Sequence, residues 1–196
     1  MKKLLLLLTM ISLPSYSDVS ANVSFASDYI WRGMTQSDGP AIQGGFDFAA
    51  ESGFYAGLWG SNVNFNDGAG SELDYYFGYG FEAGNIGVDI GYIAYDYPKN
   101  ETSLDFEEIY IGLSMGDLGL LFAMGQDGAP DYTEVSYGIG AVSLSYGQYD
   151  DYGDNLGISY GFGCGSYDCA LTYSDFSDDG YGGDEDALVF SVSASF

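Results

Sequence analysis

The chain has 196 residues, a formal net charge of −25 and no histidine. Its 29 acidic residues stand against four basic ones, so its surface repels nucleic acid, and we exclude that class of partner. Without histidine, Ser–His and Asp–His catalysis are excluded, and no other pattern predicts an enzyme, a metal site or a cofactor.

The N-terminus predicts a secretory signal peptide. Lys2 and Lys3 precede a run of leucines, and the apolar stretch is shorter than the roughly 20 residues of a transmembrane helix. We predict a signal over 1–17, with cleavage after residue 21 as the alternative frame. Residues 18–196 then form a single domain, which is exported through the periplasm.

Short segments of alternating apolar and polar residues follow the signal, and this alternation indicates β-strands. The clearest segment runs from Glu72 to Phe81, with one face aromatic and aliphatic and the other acidic or small. The pattern predicts twelve strands, with those near Tyr132, Val142 and Asn155 shorter than the rest. The predicted strands begin near Val19, Ala41, Phe54, Glu72, Ile86, Phe106, Leu118, Tyr132, Val142, Asn155, Tyr167 and Glu185.

The lengths of the connections alternate as well. Connections after even-numbered strands are short, such as 116–117, and those after odd-numbered strands tend to be longer and acidic, such as 177–184. This asymmetry is typical of an antiparallel up-and-down barrel in the outer membrane, with both termini in the periplasm. A soluble β-sandwich is the alternative, but it does not explain the asymmetry. The terminal Phe196 resembles the signal that the barrel assembly machinery recognises.

Several short motifs point to a known family. They lie mostly between residues 24 and 65, where the similarity is dense. The motifs are Ser27-Asp28-Tyr29, Arg32-Gly33, Gln36-Ser37, Pro40-Ala41, Gln43-Gly44-Gly45, Ser52-Gly53-Phe54-Tyr55-Ala56-Gly57, Trp59, Ser61-Asn62-Val63 and the C-terminal Val189-Phe190-Ser191-Val192-Ser193 to Phe196. Together they resemble the TorF-family porins, proteobacterial outer-membrane proteins of the Gcw_chp type. The resemblance implies a porin, and the family label implies small methylamine oxides as solutes.

Extending the strand alternation places a set of polar residues on the inner face of the barrel, where they would line a pore. Carboxylates dominate this set, so we expect a channel that prefers cations. If many of these acids lie at the rims instead, they still steer cations. The candidates are Asp28, Arg32, Gln36, Gln43, Asp47, Asn62, Glu72, Asp74, Asp89, Glu108 and Glu134.

Arg32 is the only arginine in the chain, and two roles are open for it. It can face Asp28 and Asp47 and help to form a constriction. Alternatively, it can lie in the first outer loop, 30–39, and attach that loop to a carboxylate. This loop is the most elaborate connection and could fold inward. The sequence shows no bulky segment that would plug the lumen, whose inward positions are rich in glycine, alanine and serine.

Cys164 and Cys169 flank a tight connection, and in the periplasm such a close pair is expected to form a disulfide. Two thiolates without histidine do not predict a metal site.

The sequence therefore predicts an outer-membrane channel for passive diffusion of small hydrophilic, preferentially cationic or zwitterionic solutes. A closed structural or surface-interaction barrel is the alternative. The expected partners are membrane lipid, lipopolysaccharide, the assembly machinery and small solutes.

Overall fold

A computed structural model describes residues 18–66, 68–99, 104–180 and 182–196. The predicted signal, 1–17, lies outside these residues. Twelve strands form the barrel and two short ones form a separate hairpin. The barrel strands are β1 (Asp18–Ala26), β4 (Ala41–Ala49), β5 (Phe54–Ser61), β6 (Glu72–Ala83), β7 (Ile86–Asp96), β8 (Phe106–Met115), β9 (Leu118–Gly125), β10 (Tyr132–Ile139), β11 (Val142–Tyr149), β12 (Gly153–Cys164), β13 (Tyr167–Asp178) and β14 (Glu185–Ser195); the hairpin is β2 (Ile30–Trp31) and β3 (Met34–Thr35).

The barrel is closed and antiparallel throughout. Each barrel strand pairs with its neighbours in the chain, and β1 pairs with β14 to close the ring. Beyond the end of β14, Phe196 exchanges two backbone hydrogen bonds with Ala21, of 2.8 and 3.1 Å, across this seam. The closed ring leaves none of its strands with an unpaired edge, because every one of the twelve has two partners.

The predicted strand count is confirmed, and each barrel strand begins within two residues of its predicted start. The expectation of a short strand near Asn155 is wrong. That strand, β12, begins at Gly153 and has 12 residues, because its alternation continues past Phe162 to Cys164. Strands β10 and β11 are short, with eight residues each.

Period-2 alternation divides the barrel strands between an apolar outer face and an inner face of polar, aromatic and small residues. On β6, Tyr75, Phe77 and Tyr79 point outward and are 44–52 % exposed. Ile158 on β12 and Leu171 on β13 are also outward and about two-fifths exposed. A continuous band of exposed aromatic and aliphatic side chains therefore surrounds the barrel, which is the reverse of a soluble protein's pattern. Among the described residues, no helix is long and apolar enough to cross a bilayer.

The two ends of the barrel differ in their connections. At one end, called the turn end, the strands are joined by two to four residues, and both described termini lie there. At the other, called the loop end, longer connections predominate, including 27–40, 62–71 and 97–105. The β2–β3 hairpin lies within connection 27–40, and its contacts place it inside the barrel rather than above it.

Candidate functional site in the barrel interior

The β2–β3 hairpin, called the inner hairpin below, turns at Arg32-Gly33. Both residues have positive φ, 47° and 94°, which is the backbone geometry of a tight two-residue hairpin turn. Glycine adopts it freely, whereas an arginine with positive φ is uncommon. A Cβ at Gly33 would lie 2.8 Å from Cβ of Asn155 and 2.9 Å from Cβ of Phe176. The turn is therefore pressed against the inner wall formed by β12 and β13.

Arg32 connects this hairpin to the far side of the barrel. Its two terminal nitrogens bind the two oxygens of Glu108 on β8, at 2.7 and 2.8 Å. The side chains are only 10 % and 2 % exposed. Tyr95 donates a further hydrogen bond to Glu108, of 3.2 Å, so the carboxylate is fully used. A bidentate pair of this kind fixes the position of the hairpin tip as well as neutralising two charges.

Aromatic rings surround the guanidinium. Its central carbon lies 4.0 Å from the ring centroid of Tyr132, 4.4 Å from that of Trp31 and 5.5 Å from that of Tyr149. Burial by itself lowers the pKa of Arg32, but Tyr149, Tyr95 and Glu108 outweigh it and raise that pKa well above its ordinary value. Arg32 therefore stays charged, and cation–π contacts add to its ion pair.

Trp31 fills the space beside Arg32. Its ring makes contacts with Tyr95, Phe106 and Tyr149 at centroid distances of 5.6 to 6.1 Å. Tyr95 and Phe106 stack on each other at 4.3 Å. The loop half of the interior is thus a packed aromatic core around one ion pair, with Tyr132 completely buried. The expectation that no bulky segment plugs the lumen is wrong, because the inner hairpin occupies this half.

Of the two roles expected for Arg32, the structure combines a loop position with a place inside the barrel. Its partner is Glu108, not Asp28 or Asp47 as the constriction hypothesis expected. Strand β1 ends at Ala26, so its alternation cannot be extended to residue 32.

Asp28 and Gln36 lie at the base of the inner hairpin. Asp28 accepts hydrogen bonds from the hydroxyls of Thr35 and Ser37, at 2.9 and 3.0 Å, and so ties the two sides of the connection together. The Gln36 side chain is buried and donates to the backbone carbonyls of Met34 and Thr35. These two residues shape the hairpin.

Asn62 lies just beyond the end of β5, at the rim of the loop end. Its side chain is exposed, accepts from the backbone of Ile42 and donates to that of Pro40. Asn62 is therefore a rim residue that joins two connections rather than a pore-lining one. Strand β5 ends at Ser61, and its alternation would in any case place residue 62 on the outer face with Leu58.

Two carboxylate–tyrosine groups face the interior, with both carboxylates toward the turn ends of their strands. Asp89 accepts a hydrogen bond of 2.6 Å from Tyr55, whose hydroxyl lies 2.5 Å from that of Tyr110. In the second group, Asp47 accepts from Tyr76 and from Asn22. The predicted residues Asp47 and Asp89 thus both face the interior, each held by a tyrosine.

The remaining predicted residues also lie on inward positions. Glu134 accepts a 2.9 Å hydrogen bond from Tyr132, near the inner hairpin, and Gln43 is half-buried on β4. Glu72 and Asp74 are both buried at the loop end of β6. Tyr29 donates to Glu72 at 3.1 Å, and burial, Glu72 and Asp74 raise the pKa of Tyr29 well above its ordinary value. That hydroxyl therefore remains a donor.

On the β10–β14 side, the half of the interior nearest the turn end is lined by small residues. Ser136, Ser143, Ser145, Ser191 and Ser193 all point inward and remain partly exposed. Since their exposed surface faces the inside of the ring, water reaches this half of the lumen.

At the rim of the turn end, Cys164 and Cys169 form a disulfide across the β12–β13 turn. Among the residues the structure describes, no group of three or more histidine, cysteine, aspartate or glutamate side chains could hold a metal ion.

The sequence prediction missed the aromatic residues of the loop half, above all Trp31, Tyr95 and Tyr149. The sequence did contain a signal for Tyr149. Strand alternation places it on the inner face of the barrel, the same face as Ser143 and Ser145. A large aromatic at an otherwise small inward position indicates that something packs against it.

Comparison with protein families gives a match over most of the chain. A family model described as "Bacterial protein of unknown function (Gcw_chp)" matches residues 13–179, which includes the inner hairpin and all barrel strands except β14. A search of curated proteins found none that matches the chain.

Proposed function

We propose that this chain, which belongs to the Gcw_chp family of bacterial proteins of unknown function, is an outer-membrane channel for small hydrophilic solutes. One observation carries the proposal: a closed twelve-stranded ring with an apolar outer face and an inner face that is partly polar and partly solvent-accessible. Hydrocarbon penalises every unpaired backbone group, and a closed ring of strands satisfies them all. The resemblance to TorF-family porins agrees with this proposal.

The orientation follows the usual asymmetry of outer-membrane barrels. Their short turns face the periplasm and their longer loops face outward. The turn end is then periplasmic, and the inner hairpin lies at the outer mouth. Export by the predicted signal and insertion through Phe196 by the barrel assembly machinery are parts of the same proposal. It includes neither catalysis nor a cofactor.

The proposed selectivity is for cationic or zwitterionic solutes. Asp47, Asp89 and Glu134 face the interior, while Arg32 is already paired with Glu108. A lumen with excess carboxylates attracts cations and repels anions. The inner hairpin fills part of the loop half, so in this proposal the hairpin sets the conductance.

Planar-bilayer recording of the refolded protein tests the proposal. We expect small conductance steps and, in a salt gradient, a reversal potential with the sign of cation preference. A matched variant in which residues 30–35 are replaced by a Gly-Ser linker should conduct more, because the obstruction is gone. Anion preference in the linker variant would contradict the proposed selectivity.

A closed surface-interaction barrel is the second candidate, and the packed loop half specifically favours it. In that case the outer loops, with bound lipopolysaccharide, would carry the surface interaction. Absence of conductance in both the native protein and the linker variant would select this second candidate.

A further inference from the structure

The loop end of β6 carries an unusual pair of buried carboxylates, Glu72 and Asp74. Within the described chain, neither forms an ion pair with a basic residue. Glu72 is 2 % exposed and Asp74 is 6 % exposed. They lie two residues apart on one strand, so both side chains project from the same face, with Cα atoms about 7 Å apart. Oε2 of Glu72 and Oδ1 of Asp74 are buried and receive no hydrogen bond from the protein.

Counter-charge for this pair is missing from the described chain. Beyond the predicted signal, the only basic residues are Arg32 and Lys99. Arg32 gives both terminal nitrogens to Glu108, and Lys99 is exposed in the 97–105 connection. Two ionised carboxylates buried together without a counter-charge are strongly unfavourable, so the pair takes up either a proton or a cation from solution.

The surroundings of the pair are rich in oxygen. Tyr29 holds the other oxygen of Glu72, and the buried Tyr97 is close enough to hydrogen-bond to the same carboxylate. Asp74 lies between Trp59 and Tyr95 in the strand register. The donor set is carboxylate and hydroxyl oxygen without sulfur or imidazole, and hard cations prefer such ligands.

We propose that Glu72 and Asp74 bind a calcium ion at the outer mouth of the barrel. Two carboxylates and one divalent ion are neutral together, and Ca²⁺ tolerates irregular oxygen coordination completed by water. Tyr29 directly precedes the inner hairpin, so the ion also fixes the base of that hairpin through the Tyr29–Glu72 hydrogen bond. The proposal concerns stability and is independent of solute transport.

The test compares thermal unfolding of the full-length refolded barrel in EDTA and in about 5 mM CaCl2, a concentration that suits weak extracellular calcium sites. We expect calcium to raise the Tm of the native protein by about 5 °C. Glu72→Gln and Asp74→Asn should lose this rise. Asp168→Asn is the matched control, since it also removes one inward carboxylate but lies exposed at the turn end, and it should keep the rise.

The proposal also predicts that the order of stability of the native protein and Asp74→Asn reverses between EDTA and calcium. In EDTA, Asp74→Asn should be at least as stable as the native protein, because it removes an uncompensated buried charge. In calcium the native protein should be the more stable. This crossover separates binding from a simple loss of packing.

Equilibrium dialysis with radioactive Ca²⁺ gives a direct count. At the same calcium concentration, we expect about one more bound ion per native chain than per chain of Asp74→Asn. If the native Tm and the bound count do not respond to calcium, the proposal is overturned. A Tm that rises with acid but not with calcium overturns it too, because a shared proton is then the occupant.

Discussion

The loop half and the turn half of the barrel interior are built on the same strands but are filled in opposite ways. In the loop half, Tyr132 and Glu108 are almost wholly buried against the inner hairpin, and Glu72 is buried beside Tyr29. In the turn half, inward serines such as Ser143 and Ser193 remain partly exposed to the lumen. Strand alternation is the same in both halves, so the difference comes from which inward side chains are large and what the chain inserts between them.

The loop half and the turn half of the interior therefore suit two different roles. A packed core around an ion pair holds a defined shape, because opening the core exposes aromatic surface and leaves a buried charge unpaired. On the β10–β14 side of the turn half, serine and glycine impose little shape and leave room for water. In the proposed channel, the loop half therefore controls passage and the turn half provides a vestibule.

The largest expected effect follows from breaking the ion pair. Arg32→Ala leaves Glu108 buried and unpaired, which destabilises the seated hairpin by about 3–5 kcal/mol. Conductance in planar bilayers should rise, and the denaturant midpoint of the refolded barrel should fall. Lys99→Ala removes the other basic residue from an exposed site and should change neither. Adding Glu108→Gln to Arg32→Ala should recover most of the lost stability; an unrecovered loss would contradict the charge explanation.

A smaller effect is expected from the hairpin turn. Gly33→Ala forces a side chain against Asn155 and Phe176 at a positive φ, at an estimated cost of about 1–3 kcal/mol. Trp31 fluorescence should shift to the red as the hairpin leaves its site. Gly39→Ala is the control, since Gly39 also has positive φ but has no atom within 4 Å of an added Cβ. Equal spectral shifts in both variants would mean that backbone strain alone is responsible.

The disulfide at the turn end should matter less. It closes a loop with a sequence separation of five, for which chain entropy predicts at most about 2 kcal/mol. Replacing both Cys164 and Cys169 by serine should lower the denaturant midpoint slightly and leave conductance unchanged. A change in conductance would show that the two halves are mechanically coupled.

The smallest effect on stability is expected in the vestibule. Ser193→Trp adds bulk to a partly exposed inward position, so stability should change by only about 0.5 kcal/mol. In the native background, conductance should hardly fall, because the inner hairpin is the main resistance. In the Arg32→Ala background the same substitution should reduce conductance clearly. A large fall in the native background would place the constriction in the turn half.

Local sequence was sufficient for the strands and their faces. The alternation from Glu72 to Phe81 predicts a strand with aromatic residues outside and acids inside, and β6 has that arrangement. Since side chains on a strand alternate strictly, each apolar residue reports its own face. Glycine-containing turns such as 116–117 then indicate where the strands end. The strands, their antiparallel order and the closed ring are all readable in this way.

The interior arrangement could not be read from the same pattern. Arg32 and Glu108 are 76 residues apart, and no local period relates them. Alternation from β1 misplaced Arg32, because the chain leaves the strand at Ala26 and turns back inside the ring. The sequence determined a barrel with an apolar outside and a polar inside, since that depends on each residue's neighbours along one strand. Only the tertiary structure decided that the first connection folds inward and binds Glu108, because that depends on the shape of the space that all twelve strands enclose together.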